Sequence, residues 1–267
     1  MKNFSNKLVV ITGAASGIGK ALALHFAKEE ARLILTDNHA KNLQKVQEEI
    51  GALVLRTYCF DVGSYESFVK IANEVKLEFG GADIMINNAG VALGKMTAEE
   101  TSMEEFHWLM NVNFYGMVHG SKAFLPQLKE KNEAALVNVS SLFGLLGIKY
   151  QSAYCSSKFA IRGYTESLIA ENTHKGFSIH VVHPGGINTQ ISLNARGGQK
   201  EYNQIFHDKF LNKNSPDKAA RVIVNGIKSN KKRIMIGSES YAGDIVARLM
   251  PVSLINFIQK NFLKELD

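Results

Sequence analysis

Residues 12–19 read Thr-Gly-Ala-Ala-Ser-Gly-Ile-Gly and directly follow the apolar run Leu8-Val9-Val10-Ile11. A short apolar strand, a glycine turn and a helix start in that order leave few folds open. Gly13 permits a tight turn that a β-carbon would obstruct, Gly17 lets backbone approach a pyrophosphate, and Gly19 lets the helix pack close to the strand. The free N–H groups and positive dipole end of that helix, near Ser16 and Ile18, would then face the phosphates. The spacing, Gly-x3-Gly-x-Gly, departs from the commoner G-x-G-x-x-G. Taken alone it also suits a glycine-rich turn that holds no ligand.

Asp37 follows a second strand-like run, Arg32-Leu33-Ile34-Leu35-Thr36. A carboxylate at this spacing can accept hydrogen bonds from the adenosine ribose hydroxyls and repels a 2′-phosphate. Neither Ala15 nor Ser16 supplies a cation for that phosphate. Both features favour NAD over NADP. The alternative for Asp37 is a turn or helix N-cap residue.

The rest of the chain alternates strand and helix. Strands are expected at 7–12, 32–36, 53–58, 83–87, 134–139, 177–182 and 233–236, rich in Val, Ile and Leu as strands buried on both faces are. Amphipathic stretches lie at 17–30, 40–50, 64–79, 102–130, 153–173 and 216–229. This indicates an α/β fold: a doubly wound, Rossmann-type parallel sheet with helices on both faces. With 267 residues and no Pro/Ser-rich linker, residues 1–267 read as one domain. The polar, weakly periodic 190–215 segment reads as a substrate lid, and 238–267 as a C-terminal helical extension.

Composition narrows the function. The net charge of +6 is spread along the chain without a basic, aromatic-interleaved stripe, so no nucleic-acid partner is expected. Two cysteines, Cys59 and Cys155, give neither a disulfide framework nor zinc spacing, and no histidine shows ligand spacing, so no metal is expected. The first residues lack a signal-peptide apolar stretch and no run is long enough to span a bilayer; the expected location is cytoplasmic.

Tyr154 and Lys158 stand four residues apart on the predicted 153–173 helix, one turn apart on one face. A free tyrosine, with a pKa of about 10, is a poor base at neutral pH. A nearby ammonium stabilises phenolate and lowers that value, so Tyr154 could exchange a proton with an alcohol or carbonyl oxygen. Tyr-x-x-x-Lys alone also describes a surface pair.

The pair is one of an ordered set: Thr12-Gly13-x3-Gly17-x-Gly19, Asn87-Asn88-Ala89-Gly90, Asn113 in Val112-Asn113-x2-Gly116, Ser140-Ser141, Tyr154-x3-Lys158 and Pro184-Gly185. In order and spacing this set resembles the short-chain dehydrogenase/reductase family over roughly residues 5–190. The resemblance implies roles. Tyr154 is the general acid/base; Lys158 lowers its pKa and holds the nicotinamide ribose. Ser141, with Ser140 as the alternative, hydrogen-bonds the reacting oxygen. Asn113 positions a water linking Lys158 to solvent. Asn88, Ala89 and Gly90 line the cofactor cleft, and Asp61-Val62 contacts adenine. Pro184, Gly185, Ile187 and Thr189 set the nicotinamide carboxamide.

The implied activity is hydride transfer between NAD(H) and an alcohol, ketone or aldehyde. The apolar segment Leu142–Tyr150 before Tyr154 points to an apolar substrate. Rival readings are an NAD-dependent epimerase or dehydratase, and a non-catalytic NAD(H) sensor. The helices at 102–130 and 153–173 resemble the pair that joins family members into homodimers or homotetramers. In the C-terminal stretch, Ala242, Ile245, Val246 and Leu249 share one helical face and Leu254, Ile255, Ile258 and Phe262 another, separated by Pro251. These faces could pack on the domain or a partner subunit, wall the pocket, or make peripheral membrane contact aided by Lys228, Lys231, Lys232, Arg233, Lys260 and Lys264.

Overall fold

The computed structural model describes residues 1–249. Seven parallel strands form one sheet in the order β3-β2-β1-β4-β5-β6-β7. They are β1 (Leu8–Thr12), β2 (Arg32–Asp37), β3 (Val54–Cys59), β4 (Ile84–Asn87), β5 (Ala134–Val139), β6 (Phe177–Pro184) and β7 (Arg233–Ile236). The order reverses between β1 and β4. In open α/β sheets the crevice at such a switch point, beyond the carboxyl ends of the strands, is where ligands bind.

The strand sequences explain the layers. β1, β4, β5 and β6 are buried at every position, whereas edge strand β3 is mostly half-buried or exposed. In β1, Val9 and Ile11 enter one core with Leu22, Phe26, Ile223 and Ile227 from α1 (Gly17–Lys28) and α8 (Pro216–Lys228). Leu8 and Val10 enter the opposite core with Phe68, Val75, Phe124 and Leu128 from α3 (Tyr65–Phe79) and α5 (Gly116–Lys129). Local signals set the helix ends. Ser64 caps α3, Ser102 and Glu105 form a capping box on α4 (Met103–Met110), and Ser215 with Pro216 starts α8.

Two helical expectations change in detail. The stretch 102–130 is not one uniform helix: a π-helical turn, Asn111–Tyr115, separates α4 from α5. Such single-turn insertions sit inside helices at functional positions, and hydrophobic periodicity reads across them. The 190–215 segment contains helix α7 (Lys200–Phe206) and a second π-helical turn, His207–Leu211. Tyr202 and Phe206 anchor it against Phe143, Ile148 and Leu211. So few apolar anchors leave little periodic signal.

The last described helix, α9 (Ser238–Leu249), docks through residues outside its apolar stripe. Ile245 and Leu249 are 57% and 75% exposed. Gly243 instead packs against Leu142 and Leu146, and Asp244 takes a two-pronged ion pair from Arg233, at 3.0 and 2.7 Å. The second face, Leu254 to Phe262, lies outside the described residues, as do Pro251, Lys260 and Lys264. In the basic cluster proposed for membrane contact, Lys228 pairs with Glu29 at 2.6 Å and Arg233 with Asp244. No helix among the described residues is long and apolar enough to cross a membrane.

His180 and His183 of β6 are fully buried, and burial pulls both down to about 4. The unfolded chain, titrating at about 6.5, binds their protons first. Their contribution to stability is therefore complete above pH ~6.5 and is lost as pH falls toward 4, at about 1.4 kcal/mol per pH unit for each histidine. Urea unfolding at pH 7, 6, 5 and 4.5 should show midpoints falling steadily; a flat profile would contradict neutral burial of both rings.

Candidate active site

The glycine turn is a backbone-on-backbone fit. A Cβ on Gly19 would run into the Gly13 carbonyl oxygen, and one on Gly13, whose φ is +65°, would lie 2.9 Å from Ala89 Cα. The turn is tied to the loop after β4 through Thr12, whose Oγ1 accepts from Asn88 N and Ala89 N, both at 3.0 Å. Asn88 Nδ2 returns bonds to the carbonyls of Thr12, at 3.0 Å, and Gly13, at 3.3 Å. The Asn88 side chain thus joins the two walls of the crevice rather than pointing across it.

Ser16 takes the N-cap position of α1 with extended backbone, but its side chain caps nothing, and no acidic residue stands in the first turn. Uncapped N–H groups beside a cradle that admits no Cβ suit a phosphate group. Asp37 braces this cradle: Oδ2 accepts from Ala15 N and Oδ1 from His39 N, both at 3.0 Å. It is a turn residue as well as a candidate ribose ligand, because each carboxylate oxygen keeps a further lone pair. Asp61, at the end of β3, is exposed and accepts from Gly63 N at 2.8 Å, while Val62 is buried against Gly116. Thr189 lies over Gly17, bringing the loop after β6 to the glycine turn; Ile187 of that loop is buried.

Tyr154 and Lys158 share a face of α6 (Ser152–Glu171), as their spacing predicts. Lys158 is buried, with Nζ 5.5 Å from the Tyr154 ring centroid and donating to Val139 O at 3.2 Å. Gly90 lies against Lys158 Nζ and Asn113 Oδ1. Asn113, in the π-helical turn, is fully buried. Its Oδ1 accepts from Val91 N at 2.7 Å, and its Nδ2 donates to Val91 O at 3.0 Å and Ser157 Oγ at 3.1 Å. Ser157 Oγ in turn donates to Tyr154 O at 2.8 Å. Asn113 therefore locks the β4 loop to the helix that carries Tyr154. Ser157 is a link that the sequence reading missed; nothing marks it except its place one turn after Tyr154.

The two serines separate cleanly. Ser140 is buried and donates to Lys158 O at 2.8 Å, so its hydroxyl proton is committed to backbone. Ser141 is half-buried; its Oγ accepts from Phe143 N at 3.1 Å, and its hydroxyl is hydrogen-bonded to the Tyr154 side chain rather than to backbone. His183 holds the Ser141 backbone, with Nδ1 3.0 Å from Ser141 O.

One electrostatic expectation is corrected. Lys158 does not pull the Tyr154 phenol down. Burial holds the phenol above its ordinary value, and the neighbouring Ser141 hydroxyl recovers only part of the shift. Burial also lowers Lys158 to about 8. Both groups lose water without a compensating charge at the phenol oxygen, so desolvation outweighs their mutual attraction. Cys155 is an inert packed thiol, pushed up to about 11 by burial.

Beyond Tyr154 the crevice is walled by aromatic rings. Phe143 sits edge-on to Tyr154, with centroids 5.9 Å apart, and against Phe206 at 6.4 Å; Tyr202 stacks on Phe206 at 6.1 Å. Lys95 covers the faces of Tyr150 and Tyr202, at 4.6 and 4.9 Å. Arg196 lies over Trp108 at 5.2 Å, while residues 93 and 196 form a parallel bridge that fastens the 190–215 segment to the loop after β4. Among the described residues no cluster of three or more His, Cys, Asp or Glu could hold a metal ion.

Comparison with known proteins gives the family and the fold. Residues 7–200 match the short chain dehydrogenase family. SadH, a candidate oxidoreductase of Mycobacterium tuberculosis, is 38% identical over 258 residues, covering 94% of this chain and 93% of SadH. Dehydrogenase/reductase SDR family member 7B of Danio rerio is 32% identical, covering 88% and 78%. The fold matches a short chain dehydrogenase/reductase from Burkholderia phymatum, solved with NAD, at TM-score 0.86 and 24% identity over 95% of this chain and 96% of that one. An alcohol dehydrogenase from Thermococcus sibiricus, complexed with 5-hydroxy-NADP, matches at TM-score 0.73 and 28% identity over 87% and 96%.

The serine geometry has a direct consequence for stability. Ser140→Ala removes a buried hydrogen bond to the Lys158 carbonyl, which keeps its partner within α6, at a cost of about 0.5–1.5 kcal/mol. Ser141→Ala takes a partner from the half-buried Phe143 N–H and from the Tyr154 hydroxyl at the open crevice and should cost less than Ser140→Ala, under about 0.5 kcal/mol. Denaturant melts of both variants decide this; equal losses would contradict the division of roles.

Proposed function

We propose that this chain, which belongs to the short chain dehydrogenase family and is an oxidoreductase of that family, moves a hydride between NAD(H) and the oxygen-bearing carbon of an apolar alcohol or ketone. The observation that carries this reading is the convergence of Ser141, Tyr154 and Lys158 between a phosphate-suited glycine cradle and an aromatic wall. A binding module that only senses NAD(H) has no use for a proton relay.

The residues suit the cofactor in turn. Gly13, Gly17, Gly19 and the first turn of α1 would take the pyrophosphate and Asp37 the adenosine ribose. Lys158 would hold the nicotinamide ribose, and the Pro184–Thr189 loop would border the carboxamide. When bound, the nicotinamide accepts or supplies the hydride and, oxidised, carries a positive charge. In oxidation the Tyr154 phenolate takes the hydroxyl proton while Ser141 donates a hydrogen bond to the same oxygen; in reduction Tyr154–OH returns the proton. Burial holds the phenol above its ordinary value, and positive charge near the phenol oxygen would strengthen Tyr154 as a base by favouring phenolate. Asn113, Ser157 and the Tyr154 carbonyl keep the ring in place. Phe143, Phe206 and Tyr202 favour an apolar substrate over a sugar. Tyr115 and Phe159, 50% and 41% exposed around α5 and α6, provide apolar surface for the proposed homodimer or homotetramer.

Tyr154→Phe keeps the ring and removes the ionisable oxygen. Turnover should fall by about two to four orders of magnitude, while NADH fluorescence titration shows binding retained. A panel of short alcohols, sugars, acyl ketones and steroids followed by NADH absorbance identifies the substrate for this assay, and a Tyr154→Phe enzyme that keeps its rate would sink the mechanism.

Asp37 should give at least a tenfold preference for NAD over NADP, since a hydrogen bond to a charged group is worth about 1.5–3 kcal/mol. Asp37→Ala should narrow the ratio of kcat/KM values. Equal turnover of NADP by the unaltered enzyme would refute the assignment. The NAD and NADP-type ligands of the two solved relatives leave this choice to Asp37.

A further inference from the structure

The loop after β6 and the segment beyond it are held at their base by one carboxylate, Glu239, which no sequence motif singles out. Glu239 is the second residue of α9. Its Oε1 accepts from Gly186 N at 2.8 Å and from Asn214 Nδ2 at 3.3 Å. Gly186 precedes the 190–215 segment and Asn214 stands near its end. The two are also bonded to each other: Asn214 N and Nδ2 both donate to Gly186 O, at 3.1 and 3.0 Å, and Asn188 N donates to Asn214 O at 2.8 Å. Lys218 Nζ donates to Asn214 Oδ1 at 2.8 Å, which leaves the other end of that amide to face Glu239 and Gly186. Residues 187 and 214 form a short parallel bridge at this neck.

Space for the carboxylate is made by glycine. A Cβ on Gly185 or on Gly237 would run into the Glu239 side chain, and Gly237 turns from β7 into α9 with a φ of +88°. Gly185 N meanwhile donates to Ile236 O at 2.8 Å, so the loop is fastened on one side to β7 and on the other to the first turn of α9. A carboxylate in a first helical turn is also favoured by the helix dipole.

We infer that Glu239 is a positioning residue: it clamps both ends of the 187–214 segment and thereby holds the Pro184–Thr189 loop in the shape that receives the nicotinamide end of the cofactor. The second half of this inference rests on the NAD(H) reading above; the clamp itself does not.

Two measurements test it on the full chain. Hydrogen–deuterium exchange without cofactor should show faster exchange across 185–189 and 212–215 in Glu239→Ala, with α1 and β5 unchanged. NADH fluorescence titration should show Kd raised at least tenfold, with KM for NADH rising more than kcat falls. Glu239→Gln, which keeps an oxygen acceptor at the same reach, should return Kd to within threefold. Glu239→Asp keeps the charge but shortens the reach, and should resemble Glu239→Ala; it also serves if the alanine variant does not fold. Asp244→Ala, on the same helix as Glu239, releases Arg233 of β7 without touching the loop and should leave Kd within threefold. Unchanged exchange in both Glu239→Ala and Glu239→Asp would overturn the clamp. Unchanged Kd, or an equal loss in Asp244→Ala, would overturn its effect on the cofactor. An unaltered protein that binds no NADH would instead overturn the proposed cofactor, with the exchange result still deciding the clamp.

Discussion

Where β1 ends, two pieces of backbone touch with no side chain between them: the carbonyl of Gly13 and the Cα of Gly19. That contact draws α1 down onto the strand and turns its first amides toward the switch point of the sheet. Thr12 and Asn88 then weld the turn to the end of β4, so the two strands that border the crevice carry a shared, hydrogen-bonded rim. The catalytic candidates reach this rim from the far side. Asn113 grips Val91 just past it, Ser157 grips Asn113, and Tyr154 follows. A shift of the glycine turn would pass through this series of short polar links to the phenol. Each link is buried or half-buried, and a broken one would leave an unpaired polar group away from water.

Much of this was legible in the chain. Central parallel strands are buried on both faces, so they appear as apolar runs and betray themselves by composition; all seven were readable within a few residues. The glycine turn, Asp37 and the Tyr154–Lys158 pair were legible because each depends on residue type at fixed spacing. What was hidden depends on distance in space instead. Residue type does not tell Ser140 from Ser141; a bond to the Lys158 carbonyl does. The π-helical turn around Asn113 leaves the amphipathic pattern nearly intact. Helix α7 has too few inward apolar residues to register. Docking of α9 runs through Gly243 and Asp244, neither of which belongs to its apolar stripe.

The charge state of the site also lay beyond the sequence. Spacing places an ammonium near a phenol, but it does not say how much water each has lost. Lys158 and Tyr154 are both pulled toward neutrality by burial, and Lys158 hands a hydrogen bond to the Val139 carbonyl. Lys158, lowered to about 8, still holds its proton at neutral pH, while the Tyr154 phenol stays neutral. A phenolate beside that ammonium would add a second charge to a dry crevice, at a cost in stability.

The neck at Gly186 and Asn214 has a consequence for how such a protein can diversify. Closing a loop costs conformational entropy, and a loop already pinned at its base has met that cost locally. Doubling its length adds only about 0.6 kcal/mol. Residues 187–214 can therefore lengthen, shorten or change character while β6, β7 and α9 keep their places. The wall around the substrate and the frame under the cofactor are in this sense separable parts, free to accumulate change at different rates, with one carboxylate marking the boundary between them.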